Sequence, residues 1–358
     1  MLKLTARSLV RVWTCSRFYF QLAAGSNSPA CGEADKPDVA VVVQTDFAWP
    51  DVSIERAVIE GAGHSLIVGP STPMPEQEVE ALIAEHNPQA IMTCWAQVSA
   101  KSISTPTDLK IVQRIGVGLD NIAVPAATTR GAWVANVPDY CVGEVADHAV
   151  ALLLDWARGT LGFDRSVKAG SWNPAAAKLR RVADLTVGII GVGRIGGATA
   201  QRLAAFGCRV LGTSTSGRGV PGVEMAKLDD LVAASDAIII HAPLTEASHH
   251  LINAERIAAM KPGAFLINVS RGPLVDTEAL IAALESEALS GAGLDVVEGE
   301  PNPPRALVDR ADVIVTPHIA FSSEASLAEL RRRSAEEVVR VLSGEAPHFP
   351  CNRPEAKP

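Results

Sequence analysis

Thr-Val-Gly-Ile-Ile-Gly-Val-Gly-Arg-Ile-Gly, residues 186–196, is the stretch on which the fold turns. Val187, Ile189 and Ile190 form a short apolar run that suits a buried parallel strand, and from Ile195 to Phe206 the apolar positions take helical spacing. Between them stand Gly191, Gly193 and Gly196. The first allows a sharp turn, the second lets backbone approach a pyrophosphate, and the third lets helix and strand pack closely. A phosphate would lie against the helix start at Arg194 and Ile195, where free N–H groups and the helix dipole favour negative charge. A glycine-rich structural turn is the plain alternative. The strand–turn–helix context favours a dinucleotide site.

Outward from this element the chain holds 358 residues, too many for one ordinary core, so two domains are expected. Apolar residues make up 47%, enough for substantial burial. The net charge of −8 and the absence of a Lys/Arg block leave no footprint for nucleic acid. The longest apolar runs, such as Ala149–Leu154 and Ala237–Ile240, are far too short to span a membrane. Cys15, Cys31, Cys94, Cys141, Cys208 and Cys351 are scattered, with no metal-ligand spacing, so no metal site is expected. Free thiols in a reducing compartment, the cytoplasm, are the expectation.

Residues 1–37 are basic, contain Ser and aromatic residues, and lack an acid before Glu33. An unstructured extension is expected there, with a presequence as the alternative. From residue 38 strands and helices alternate. Strands are predicted at Val39–Val43, Ser65–Val68, Ala90–Cys94, Ile111–Ile115 and Trp133–Asn136, and a long helix from about Gly143 to Gly159 carries Ala146, Ala149, Leu153 and Trp156 on one face. Beyond the glycine turn, strands are predicted at Arg209–Gly212, Ala237–His241, Ala264–Val269, Gly293–Val296 and Asp312–Thr316. The pattern predicts an α/β protein with two doubly wound parallel sheets. A dinucleotide-binding domain of Rossmann type, 140–318, would be inserted in a flavodoxin-like substrate domain, 38–139 and 319–358. The last helix, Leu327–Leu342, would return to the first domain because one helix cannot form its own core.

Several motifs follow one another in order: Gly-Val-Gly-Leu-Asp-Asn (116–121), Asn-Val-Pro-Asp-Tyr-Cys-Val-Gly-Glu-Val-Ala-Asp-His (136–148), Asn-Val-Ser-Arg-Gly-Pro-Leu-Val-Asp (268–276), Gly-Leu-Asp-Val (293–296), Gly-Glu-Pro (299–301) and Thr-Pro-His-Ile-Ala (316–320). In this order and spacing the chain resembles the D-isomer-specific 2-hydroxyacid dehydrogenases over essentially Val39 to Leu342. Hydride transfer to a keto acid requires a cation to grip carboxylate and carbonyl, a proton donor, and a group that keeps the donor charged. Arg271, His318 and Glu300 have that chemistry. The resemblance assigns them as the catalytic triad. A surface Arg–Glu pair and a strand-end histidine are the structural alternative for each taken singly.

The resemblance also implies that Val117 and Gly118, with Arg271, hold the substrate carboxylate, and that Asp295 meets the nicotinamide carboxamide, with helix or turn capping as its rival role. Pro243, beyond the strand Ala237–His241, joins the cofactor-binding set. Trp95 and Phe321 could shape the substrate pocket or serve apolar packing, and His249 and His250 are expected to be surface or packing residues, since nothing pairs with them at ligand spacing in the sequence. In Thr-Ser-Thr-Ser-Gly-Arg (213–218), Ser214 stands where NAD-specific relatives carry an acid for the ribose hydroxyls. Hydroxyls with Arg218 could instead bind a 2′-phosphate, so NADP is favoured over NAD. The resulting expectation is an NAD(P)-dependent oxidoreductase acting on a small 2-oxo acid of glyoxylate or hydroxypyruvate type. The resemblance suggests a homodimer. A dinucleotide-sensing, co-repressor-like scaffold and a formate or phosphite dehydrogenase of the same architecture are the alternatives.

Overall fold

The structure is a computed structural model and describes residues 39–355. The expected extension, residues 1–37, lies outside them. Two all-parallel sheets are present. The first contains β1 (Val41–Gln44), β2 (Ser65–Val68), β3 (Ala90–Thr93), β4 (Ile111–Arg114) and β5 (Trp133–Ala135), in the order β2-β1-β3-β4-β5. This is the flavodoxin-like order, with the switch point between β1 and β3. Every residue of β3 and β4 is buried, as expected for strands covered by helices on both faces.

The second sheet contains β6 (Thr186–Ile190), β7 (Arg209–Thr213), β8 (Glu224–Met225), β9 (Ala237–Ile240), β10 (Ala264–Asn268), β11 (Leu289–Leu294) and β12 (Val313–Val315). Its order, β12-β11-β10-β9-β6-β7-β8, is the Rossmann order extended by one strand, and its switch point lies between β6 and β9. The sequence reading omitted the two-residue, exposed β8 and began β11 four residues late. Gly291 and Gly293 dilute the apolar run of β11, so only its end resembles a strand.

Side-chain alternation sends each strand's residues to two faces. Val187, Ile189, Ala237, Ile239, Phe265 and Ile267 join one core, and Ile190, Ile238, Ile240, Leu266, Ala292 and Leu294 join another. The helix Val142–Arg158 packs on β10, β11 and the helix Arg194–Ala205. Its Trp156 stacks on Phe265, with ring centroids 5.1 Å apart, and donates to Ser290 Oγ at 2.8 Å. The helix Thr160–Lys168, not anticipated from sequence, buries none of its residues. Among the described residues no helix is long and apolar enough to cross a membrane.

The helix Glu324–Leu342 packs on the helix Ser53–Gly61 and on β3 and β4. Its Arg331 grips buried Glu55 through Nε and Nη2 at 2.9 and 2.8 Å. The chain then runs along the edge of β5. Ala135 bridges Pro350, Cys351 N–H donates to Val134 O at 2.7 Å, and Val134 N–H donates to Asn352 Oδ1 at 2.8 Å. An otherwise open sheet edge is covered.

Candidate active site

The C-terminal ends of strands from both sheets converge on one cavity of about 540 Å³. At the switch point of the second sheet, β6 runs into Gly191, whose φ of +98° is a backbone conformation that a side chain disfavours. A Cβ on Gly191 would also lie 2.7 Å from the His241 carbonyl, and one on Gly196 would collide with Gly191 O. At Gly193 a Cβ would meet nothing within 4 Å, so this residue borders open space. The helix Arg194–Ala205 starts there without a side-chain cap. Its first amides are therefore left for an anion, and the residues fit a dinucleotide pyrophosphate. Ile195 and Pro243 line the same cavity.

At the end of β7, Ser214 Oγ and Ser216 Oγ lie 2.8 Å apart, and Ser214 Oγ accepts the Ser216 amide. Arg218 forms no ion pair among the described residues. Glu224, the nearest downstream acid, is held bidentately by Arg209 at the opposite end of β7. The loop thus offers hydroxyls and a guanidinium, with no carboxylate.

Across the cavity, β4 ends in the loop Gly116–Gly118. Among the described residues the amides of Val117 and Gly118 donate to no group. Arg271 lies against Gly118, where a Cβ would collide with its Nη2, and its Nε donates to Asp120 Oδ1 at 3.1 Å. His318 Nδ1 meets Glu300 Oε1 at 2.9 Å, which leaves Nε2 as the free ring nitrogen. Around the imidazole stand Trp95, edge-on with centroids 4.6 Å apart, and Phe321 at 6.2 Å. Arg271, His318, Val117, Gly118, Trp95, Phe321 and Asp295 all line the cavity.

His318 adopts φ +55°, unusual for a residue with a side chain. Asp295 holds it there. The main-chain oxygen of Asp295 accepts the His318 amide at 2.8 Å. Its Oδ1 takes Thr316 Oγ1 at 2.6 Å and the Ile319 amide at 2.9 Å, and Oδ2 takes the Ala320 amide at 2.9 Å. Asp295 is only 2% exposed, and these bonds fix the 316–320 loop that carries His318. His148 Nε2, 3.0 Å from Thr316 Oγ1, buttresses the same loop.

The chain's likeness to known proteins agrees with this geometry. Residues 150–320 match the D-isomer specific 2-hydroxyacid dehydrogenase, NAD binding domain. A glyoxylate reductase from Thermofilum pendens is 35% identical over 324 residues, covering 86% of this chain and 96% of the relative. The chain belongs to the D-isomer specific 2-hydroxyacid dehydrogenase family. A D-3-phosphoglycerate dehydrogenase from Mycobacterium tuberculosis is 40% identical over 252 residues, 69% of this chain, which spans 48% of that longer relative. Among solved structures, the NADPH-dependent glyoxylate/hydroxypyruvate reductase of Sinorhizobium meliloti, in complex with NADP and malonate, is 29% identical with a TM-score of 0.77, covering 89% of this chain and 99% of that one. The D-lactate dehydrogenase of Aquifex aeolicus, complexed with NAD and lactic acid, is 29% identical with a TM-score of 0.75, covering 85% and 96%. This D-2-hydroxyacid dehydrogenase is an oxidoreductase acting on CH–OH groups. It transfers hydride between a nicotinamide dinucleotide and a 2-oxo or 2-hydroxy acid.

Arg114 and His241 in the pocket, and Asp46 behind it, carry no signal in the sequence. Asp46, fully buried after β1, accepts the amides of Cys94, Trp95 and Ala96 at 3.0, 2.6 and 3.1 Å and so fixes Trp95. Arg114, two residues before Gly116, lines the cavity. His241, behind the glycine turn, is pushed down by burial to a pKa of about 3. Thr199 Oγ1 donates to Ile195 O at 3.1 Å, so His241 Nε2, 2.9 Å from the same hydroxyl, carries the proton between them. One expectation is corrected. His249 and His250 do have an acid nearby, because His250 Nε2 lies 2.8 Å from Glu298 Oε1. The other oxygen of Glu298 accepts the Thr277 amide at the start of the helix Thr277–Glu285, so the acid also caps a helix.

Proposed function

We propose that this dehydrogenase reduces a small 2-oxo acid of glyoxylate or hydroxypyruvate type, with Arg271, His318 and Glu300 as its catalytic residues. The observation that carries the reading is the His318–Glu300 contact at 2.9 Å on a cavity that also holds Arg271 and the open amides of Val117 and Gly118. When bound against Gly191–Gly196, NAD(P)H supplies the hydride to C2 of the keto acid. The loop amides and the Arg271 guanidinium bind the carboxylate, and Arg271 also polarises the carbonyl. Nε2 of His318 gives its proton to the oxygen that becomes the hydroxyl. Glu300, on Nδ1, holds the ring in orientation with Nε2 turned to the substrate. In the reverse direction the neutral ring takes the proton back.

The sheet memberships support a cofactor domain spanning 140–318 and a substrate domain made of 38–139 and 319–358. The acid-free loop at Ser214–Arg218 supports NADPH over NADH. Free cysteines throughout the described residues support a reducing, cytoplasmic location. A homodimer is supported by the arm after Arg158, where the helix Thr160–Lys168 buries nothing and Trp172 is 84% exposed. Initial rates with glyoxylate, hydroxypyruvate and pyruvate, each with NADPH and NADH, test the reading. A kcat/KM favouring NADPH that reverses towards NADH in Ser214→Asp is expected; a wild type already preferring NADH would overturn the cofactor assignment, and no turnover of any keto acid would overturn the activity. Light scattering of Trp172→Glu should report monomers if the arm is the interface.

A further inference from the structure

Two adjacent histidines and an acid 48 positions after the second of them meet outside the active-site cavity. One ring nitrogen each of His249 and His250 and one carboxylate oxygen of Glu298 all lie within 4.8 Å of one another, and among the described residues no other His, Cys, Asp or Glu side chains form such a group of three. His249 is exposed, and the other two are half-buried. Neighbouring side chains of an extended chain point to opposite sides, but His250 has φ +49°, and with that left-handed turn the two imidazole centroids stand 4.1 Å apart. The turn is held from both ends. Thr245 and Ser248 cap each other's amides, and the His250 amide donates to Pro273 O at 2.8 Å.

The donors have the chemistry of a zinc-type centre. His250 Nε2 lies 2.8 Å from Glu298 Oε1, and its other nitrogen faces Asp276 Oδ2 at 4.0 Å. A carboxylate behind the second ring nitrogen is the arrangement that orients a metal-bound imidazole. Burial alone would raise the Glu298 carboxyl, but hydrogen bonds from His250 and Thr277 outweigh it and hold the group below the usual range, so Glu298 presents a carboxylate. Two imidazoles and one carboxylate suit zinc and its transition-metal neighbours, whereas magnesium and calcium take oxygen donors. In a tetrahedral shell, bonds of about 2.0–2.1 Å put the donors roughly 3.3 Å apart. His250 and Glu298 are already near that separation, and the exposed ring of His249 can swing to complete it. The ion takes the place of the proton between His250 and Glu298, which is released to solvent.

We infer that His249, His250 and Glu298 form a site for one divalent transition-metal ion of zinc type, completed by water, which clasps the loops carrying Arg271 and Glu300. Glu298 lies two residues before Glu300, and the Pro273 carbonyl that fixes His250 lies two residues after Arg271. Between these segments Gly272 packs so closely that a Cβ on it would lie 2.3 Å from the Val297 carbonyl carbon. An ion at the cluster therefore ties the turn after β9 to the chain behind both residues. Its role is structural, and no step of hydride transfer passes through it. The cysteine pattern points to no metal, and the spacing of 249, 250 and 298 is equally silent, because the fold alone brings the acid to the histidines.

The tag-free full chain, stripped with EDTA and desalted, is titrated with Zn2+ in competition with a chromophoric chelator, and its thermal unfolding is followed with and without the ion. One ion per chain should bind in the micromolar range or tighter, and Tm should rise by several degrees. Co2+ in its place should give the visible absorption of a four- or five-coordinate ion. His249→Gln removes an exposed ring, so it should leave the metal-free Tm unchanged while weakening Zn2+ binding about tenfold or more. Glu298→Gln, which can still accept the Thr277 amide, should weaken binding likewise and serves as the second variant. No binding below about 1 mM Zn2+, unchanged affinity in both variants, or equal affinity for Mg2+ would overturn the site. Binding without any rise in Tm would overturn the clasp.

Discussion

The cofactor turn at Gly191–Gly196 is made of backbone, whereas the wall opposite it, Trp95 and Arg114 with Asp46 behind them, is made of side chains brought from three separate strand ends. The turn works by what is missing: open space at Gly193, close approach at Gly196, an uncapped helix start. The wall works by long-range partners, such as Asp46 and the amides about fifty positions later that it holds. A backbone-built site is contiguous and, at Gly191 and Gly196, has no room for added atoms. A side-chain-built site is dispersed and can be retuned one residue at a time.

Arg271→Gln should give the largest effect on the dispersed side, because carboxylate binding and carbonyl polarisation are lost together. Loss of such a charged contact is worth about 3–4 kcal/mol, a few hundred-fold or more in kcat/KM in both directions and at every pH. A loss confined to KM would show that Arg271 only binds.

On the contiguous side, Gly196→Ala puts a methyl group into Gly191 O. It should cost about 1–3 kcal/mol of stability and weaken nicotinamide dinucleotide binding, read by thermal unfolding and by fluorescence titration with NADPH. Wild-type binding in this variant would break the contrast between the two walls.

His241, directly behind the turn, supplies a pH test. Its unfolded form titrates near 6.5 and its folded form at about 3, so between these values the unfolded chain binds the extra proton. Stability from this group is therefore complete above pH 6.5 and is lost as pH falls towards 3. At pH 5 the loss is at most about 2 kcal/mol. Urea unfolding at pH 7.5 and pH 5 should show a smaller difference for His241→Asn than for wild type, and equal differences would show that His241 is not held neutral.

The smallest effect is the most diagnostic. Glu300→Gln keeps shape and hydrogen bonding but removes the charge beside His318, so keto-acid reduction, which draws on the ring's proton, should lose about tenfold in kcat, roughly 1.4 kcal/mol. Oxidation of the hydroxy acid near neutral pH should be comparatively spared. Wild-type rates of reduction in this variant would mean that another acid serves His318.

The same contrast explains what the sequence revealed. Gly191, Gly193 and Gly196 are legible because the turn's demands fall on adjacent residues, and β1 to β5 because their apolar runs are short and bounded. Ser214 is legible as a missing acid at a known offset from a strand. Arg114 and Asp46 are not, since an arginine before a glycine loop and an aspartate after a strand acquire meaning only when burial and partners are known. Asp295 was noticed, but its bonds to Thr316, Ile319 and Ala320 belong to a loop some twenty residues away. The helix Thr160–Lys168 was missed because it has no buried face to impose a pattern.

The Arg331–Glu55 contact also sets an order of events during synthesis. Its partners are separated by 276 positions, and the whole of the second sheet is translated between them. A ribosome can release β1 to β5 early, but Glu55 has no cation to accompany it into the interior until the final helix has emerged. The half of the molecule made first is therefore completed last, and its closure waits on the synthesis of everything in between.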